Sequence, residues 1–236
     1  MSSSTLEVHP DPHGQGHEHD PHHQHHFTTM EQQFDTSKIG MWLFLATEVL
    51  TFGGLFVGFG LMQNRYPQEF IEAHEHLQRL AGAANTVVLL FSSFTMVMAV
   101  LAAKTNQGAK CARYLWVTVG CAAIFMCVKA YEYTLKYQEG LLPGYFYRRQ
   151  PEDTVVLANG MLSHGYSTFF SFYFMMTGLH GLHVVIGAIL LSWLAIRAKR
   201  GEFNSAYYTP VDLVGLFWHL VDLVWIYLFP LYYLIK

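Results

Sequence analysis

Five apolar runs, each long enough to cross a bilayer, constrain this chain more than any other feature of its sequence. They cover about residues 39–62, 83–103, 112–135, 161–196 and 211–235. A hydrocarbon core about 30 Å thick needs roughly 20 apolar residues in helical form. Inside it every backbone N–H and C=O must find a partner within the protein, which leaves helices and closed barrels. Runs of this length select helices, so the expected fold is all-α: a polytopic membrane bundle with five transmembrane helices. Charged residues agree, at 13% of the chain, where a soluble domain carries about 25%. The fourth run holds 36 residues, about 54 Å as a helix, and is expected to tilt or project from the membrane. A net charge of −3 with no basic stripe argues against nucleic acid as a partner.

Two regions follow from this pattern. Residues 1–37 form a polar tail built around "HPDPHGQGHEHDPHHQHH", with eight histidines between His9 and His26. Such a segment buries too little apolar surface to fold alone, so a disordered cytoplasmic tail is expected. Histidine-rich tracts can also bind zinc or copper. The first 35 residues lack the apolar core of a cleavable signal, and the first span is expected to serve as the insertion signal. Residues 38–236 carry the five-helix membrane domain.

Lys and Arg in the connections bear on orientation. With the amino terminus inside, seven fall on the inner side (Lys38, Lys104, Lys110, Arg113, Arg197, Lys199, Arg200) and six outside (Arg65, Arg79, Lys136, Arg148, Arg149, Lys236). The two short inner loops carry three positives each. That density favours a cytoplasmic amino terminus and an outer carboxyl terminus. The connection "YPQEFIEAHEHLQRLAG" carries Phe70, Ile71, Leu77 and Leu80 near helical spacing, and a short surface helix is expected there. Tyr145, Phe146 and Tyr147 in the longer connection suit the interfacial belt. Cys111, Cys121 and Cys127 read as small apolar packers rather than a bridge or a metal motif. Gly53, Gly54, Gly58 and Gly60 in the first span, and Gly178, Gly181 and Gly187 in the fourth, are expected to let helices approach closely.

Polar side chains inside the spans are the candidate functional residues. Glu48 interrupts "MWLFLATEVLTFGGLF" ten residues into the first span, about 15 Å deep. A mid-bilayer acid costs roughly 2.5–3.5 kcal/mol on insertion scales, so it is expected to face the bundle and find a partner, or to be protonated. His180 and His183 in "TGLHGLHVVIG" and His219 and Asp222 in "FWHLVDLVW" are i, i+3 pairs, each on one helix face. Lys129 and Glu132 in "KAYEY" form a third such pair, expected to snorkel as a surface bridge near the outer interface. Haem ligation, a proton relay and helix-packing hydrogen bonds are the three readings of these groups. Haem ligation is disfavoured, because an i, i+3 pair on one helix cannot clamp both faces of a single haem. Structural carboxylate–imidazole bonding is the reading carried forward, with the partner of Glu48 open among the histidines of the other spans. No hydrolase, P-loop or dinucleotide motif is present in the sequence.

In this order, "GMWLFLATEVLTFGGLF", "NTVVLLFSS", "AYEY", "STFF", "TGLHGLHVVIG" and "FWHLVDLVWIYLF" resemble subunit III of the haem–copper oxidases, over roughly residues 38–236. The resemblance implies a non-catalytic integral-membrane subunit of a proton-pumping cytochrome c oxidase, which reduces oxygen to water in the aerobic respiratory chain. It implies no cofactor in this chain, haem and copper in partner subunits, and bound phospholipids. The implied partners are subunit I directly, subunit II and other oxidase subunits, a respiratory supercomplex and membrane lipids. The implied location is the bacterial plasma membrane. The family usually has seven helices, with lipids between the first two and the other five; this chain lacks those two, resembles the five-helix bacterial form, and so lacks one wall of that cleft. Glu48 falls on the family's intramembrane carboxylate, His180 and His183 on its "HGLHV", and His219 and Asp222 on its "WHFVD". Glu132 lies in "AYEY", and Arg197 falls on an arginine that can meet lipid phosphate. A quinol oxidase subunit III and a relative associated with nitric oxide reduction are alternatives within the family. A stand-alone metal-handling membrane protein, suggested by the tail, is the alternative outside it.

Overall fold

The computed structural model of the chain describes residues 29–75, 77–142, 165–205 and 207–233. Most of the histidine-rich tail and the Tyr145–Tyr147 segment lie outside the described residues. Every regular element among the described residues is helical, and five helices are long and apolar enough to cross a membrane. The chain is a multi-pass membrane protein.

Helix α1 spans Met30–Arg65, starting nine residues before the expected span. Its N-cap explains the early start: the Thr29 hydroxyl accepts from the Gln32 backbone N–H at 3.1 Å. Helix α6, Thr209–Tyr233, then supports the polar first turns. Phe34 meets Tyr208 edge to face, and Lys38 lies 3.7 Å from Asp212. A short helix α2, Pro67–Glu75, follows. Phe70 and Leu77 are buried as the pattern suggested, but Leu80 is exposed and Ile71 half so. Phe70 packs against Phe59 and Phe169, so α2 clasps the bundle as well as lying along its end.

Helices α3 (Arg79–Lys104), α4 (Gly108–Gln138) and α5 (Gly165–Lys199) complete the spans. Between α3 and α4 the chain reverses through Thr105, Asn106 and Gln107, with Asn106 at φ +57°. That left-handed position suits Asn after a helix end, and its side-chain oxygen accepts from the Ser205 N–H at 2.7 Å.

Helices α3, α4, α5 and α6 close a four-membered antiparallel ring, each packed on its two neighbours, with α1 outside against α5 and α6. The central layer is aromatic and apolar, with Phe125, Phe169, Tyr173, Trp218, Trp225 and Tyr232 fully buried. Where α5 meets α6, Gly187 is required: a Cβ there would sit 2.8 Å from the Trp218 ring. Gly58 likewise faces Phe172. Gly53, Gly54 and Gly60 face open space, contrary to the close packing expected along the whole stripe. The outer side of α1 carries Ile39, Leu43, Leu50 and Val57, all largely exposed to the surroundings, which for a spanning helix means lipid or other protein.

The cysteines also divide. Cys111 and Cys121 are buried packers, whereas Cys127 is exposed and fills no core position.

Candidate functional site

The intramembrane polar residues fall into three clusters, set by which helix face carries each side chain. Glu48 points from α1 toward α5, and its Oε2 lies 3.0 Å from His183 Nε2. The other ring nitrogen, Nδ1, is 2.8 Å from the Leu179 carbonyl one turn back. That acceptor fixes Nδ1 as the N–H donor, so Nε2 faces the carboxyl group either as an acceptor from its protonated form or as a second donor from imidazolium. Phe52 and Phe217 flank the imidazole. A cavity of about 410 Å³ lies beside the pair, lined by apolar side chains including Met41, Phe44 and Ile186. Both partners keep some exposure, 19% for the glutamate side chain and 13% for the histidine.

His219 and Asp222 do not join Glu48. They face α3, where the turn "SS" supplies hydroxyls. Ser93 Oγ is 2.7 Å from His219 Nδ1, and Ser92 Oγ lies 3.5 Å from Asp222 Oδ2. Ser92 also accepts from the Trp218 indole N–H at 3.1 Å. Thr95 and Thr118, 2.8 Å apart, continue this seam between α3 and α4.

The third cluster corrects an expectation. Lys129 and Glu132 are not a surface bridge: their side chains are only 6% and 2% exposed. Lys129 lies nine residues before the end of α4, about 14 Å from it, too deep to reach water, and its face turns into the ring. Lys129 Nζ donates to Glu132 Oε2 at 2.8 Å, Tyr173 Oη at 2.9 Å and Tyr233 Oη at 3.4 Å. Tyr233 O–H donates to Glu132 Oε1 at 2.6 Å. All three ammonium donors and both carboxylate oxygens are therefore used within four side chains. The Tyr133, Tyr173 and Trp225 rings lie about the cation at 4.9–5.3 Å. Tyr173 and Tyr233 were not among the residues singled out from sequence. Nothing in their own sequence context marks them, and only an unpaired buried cation on α4 would have asked for them.

His180 separates from His183 although both lie on α5. One turn apart, they straddle the helix: His183 faces α1, while His180 enters the ring between Phe125 and Trp225. Arg197 ends α5 with its Nε 2.5 Å from Glu202 Oε2, and its guanidinium stacks on Trp193 at 4.6 Å. Among the described residues no three His, Cys, Asp or Glu side chains converge to hold a metal ion.

Residues 141–235 match the family profile described as cytochrome c oxidase subunit III. The chain is similar to cytochrome c oxidase subunit 3 of Thermostichus vulcanus, at 32% identity over 202 residues covering 85% of this chain and 88% of that protein. It is also similar to cytochrome c oxidase subunit 3 of Synechocystis sp., at 29% identity over 202 residues covering 85% of this chain and 76% of the relative.

Proposed function

Since the chain belongs to the cytochrome c oxidase subunit III family, and so to an oxidase complex, we propose that it braces the catalytic subunit I of a proton-pumping oxidase. In this role it carries no redox centre, packs directly on subunit I beside subunit II, and supports proton uptake there. Haem and copper reside in the partner subunits, and phospholipids bind along its apolar faces. One observation carries the reading: the polar groups inside the spans bond to one another across helices, as in Glu48–His183 and the Lys129–Glu132–tyrosine cluster. Groups committed in this way fix helix positions and give a rigid face for a neighbour.

The membrane is the bacterial plasma membrane, with the amino terminus cytoplasmic. Antiparallel packing gathers Lys38, Lys104, Lys110, Arg113, Arg197, Lys199 and Arg200 at one end of the bundle, which supports that orientation. Arg197 stands at that end, within reach of a lipid phosphate if Glu202 releases it.

Purification through this chain in mild detergent tests the proposal. Haem a absorbance and the other oxidase subunits are expected to travel with it. A colourless chain that elutes alone overturns the reading. Within the intact assembly, Glu48→Ala is expected to leave haem content unchanged and to shorten the number of turnovers before inactivation. Equal assembly, stability and turnover life would remove Glu48 from the bracing role.

A further inference from the structure

Polar side chains inside the α3–α6 ring fall into two self-bonded sets with a gap between them. One set is Asp222 with Ser92 and Trp218. The other is Lys129 with Glu132, Tyr173 and Tyr233. At the level between them sits Trp225, three residues after Asp222 on α6, whose indole N–H donates to Thr86 at 3.1 Å. His180 lies against the Trp225 ring, 5.3 Å between centroids, and Asn85 is the chain neighbour of Thr86.

Five buried side-chain atoms of the ring have no hydrogen-bond partner among the described residues: Asn85 Oδ1 and Nδ2, His180 Nδ1 and Nε2, and Asp222 Oδ1. Their residues are 1%, 1% and 3% exposed. Buried polar atoms are overwhelmingly bonded to protein or ordered water, and an orphaned one is costly. The neighbours of His180 cannot serve it. Trp225 has only one N–H and gives it to Thr86, Lys129 has spent its three donors, and Phe125 offers only a ring. The orphans include both donors and acceptors: an amide, an imidazole with one N–H when neutral, and a carboxyl oxygen. A metal cation would satisfy only acceptors. Water satisfies both kinds and bridges two to four groups.

We infer that ordered water occupies the core of the ring, bound by Asn85 and His180 at the Trp225 level and by Asp222 Oδ1 one turn away. This water extends the polar side chains of the Asp222 set to the level of Trp225 and His180, inside an otherwise aromatic core. It also explains why His180 and His183 differ: His183 finds its partners in Glu48 and a backbone carbonyl, whereas His180 binds solvent.

A density map of the intact assembly, at a resolution that displays bound water, tests this. Solvent peaks are expected about 3 Å from the His180 ring nitrogens, the Asn85 amide and Asp222 Oδ1. Direct pairing among these side chains, or no peak beside them in a map with water elsewhere in the ring, overturns the inference. A second measurement uses the assembly with 15N-labelled histidine and polarisation transfer from water. Strong transfer to a ring signal that vanishes in His180→Phe is expected. Transfer to that signal no greater than to buried apolar groups overturns it.

Discussion

Two carboxylates in this protein face the same cost of entering a membrane and meet it differently. Glu132 sits inside the closed α3–α6 ring, with Lys129 on one carboxylate oxygen and Tyr233 on the other. Glu48 sits on the outer helix α1, with one imidazole partner and a cavity beside it. Four helices around the first site exclude lipid and bulk water, and pairing of both carboxylate oxygens makes it tolerable. The second site is covered from one side, and a single bond suffices there. Of these two carboxylates, the more enclosed has the more partners.

The sharpest way to break this comparison is Glu132→Ala, which leaves the Lys129 ammonium buried without its counter-charge. Loss of about 3–5 kcal/mol is expected, read as a lower detergent midpoint for unfolding of the chain within the purified complex. A loss no larger than that of Glu48→Ala would erase the distinction between the two sites. Gly187→Val comes next. It drives a side chain into the Trp218 ring, where a Cβ is already 2.8 Å away, and about 1–3 kcal/mol of overpacking is expected on the same assay.

Glu48→Ala is expected to cost less, about 0.6–1.7 kcal/mol, in the range of single interhelical hydrogen bonds in membranes. Its effect should also be local. Backbone hydrogen exchange in α1 is expected to rise, with α3–α6 unchanged; a uniform rise across all helices would place Glu48 in the ring's own stability. Last, Glu202→Ala, just beyond the end of α5, removes the carboxylate partner of Arg197 from a partly exposed pair. Less than about 1 kcal/mol is expected. The same variant, assayed for retained phospholipid, sharpens the lipid proposal, because a freed Arg197 should hold more anionic lipid rather than less.

Much of this was legible in the residues themselves. Span number and helix type followed from run length, because the bilayer forbids unpaired backbone and sets a minimum length. Glu48 declared itself by being a charge among Leu, Phe and Val. Lys129 and Glu132 did not, since an i, i+3 ion pair near a span end looks the same whether its face meets headgroups or neighbouring helices. Only the turn of α4 toward Tyr173 and Tyr233 separated those cases. His180 and His183 were equally ambiguous, being one turn apart on a helix that has neighbours on several sides.

By itself, then, the sequence determined that five helices cross a membrane and which polar side chains must go in with them. Tertiary structure decided who meets whom: His183 with Glu48, Asp222 with Ser92, Lys129 with two tyrosines from other helices. The physical reason is that backbone satisfaction is local, closed within each helix at four-residue range. Side-chain satisfaction inside a bundle depends on rotation and register between helices, which residues more than 100 positions apart fix only by packing together.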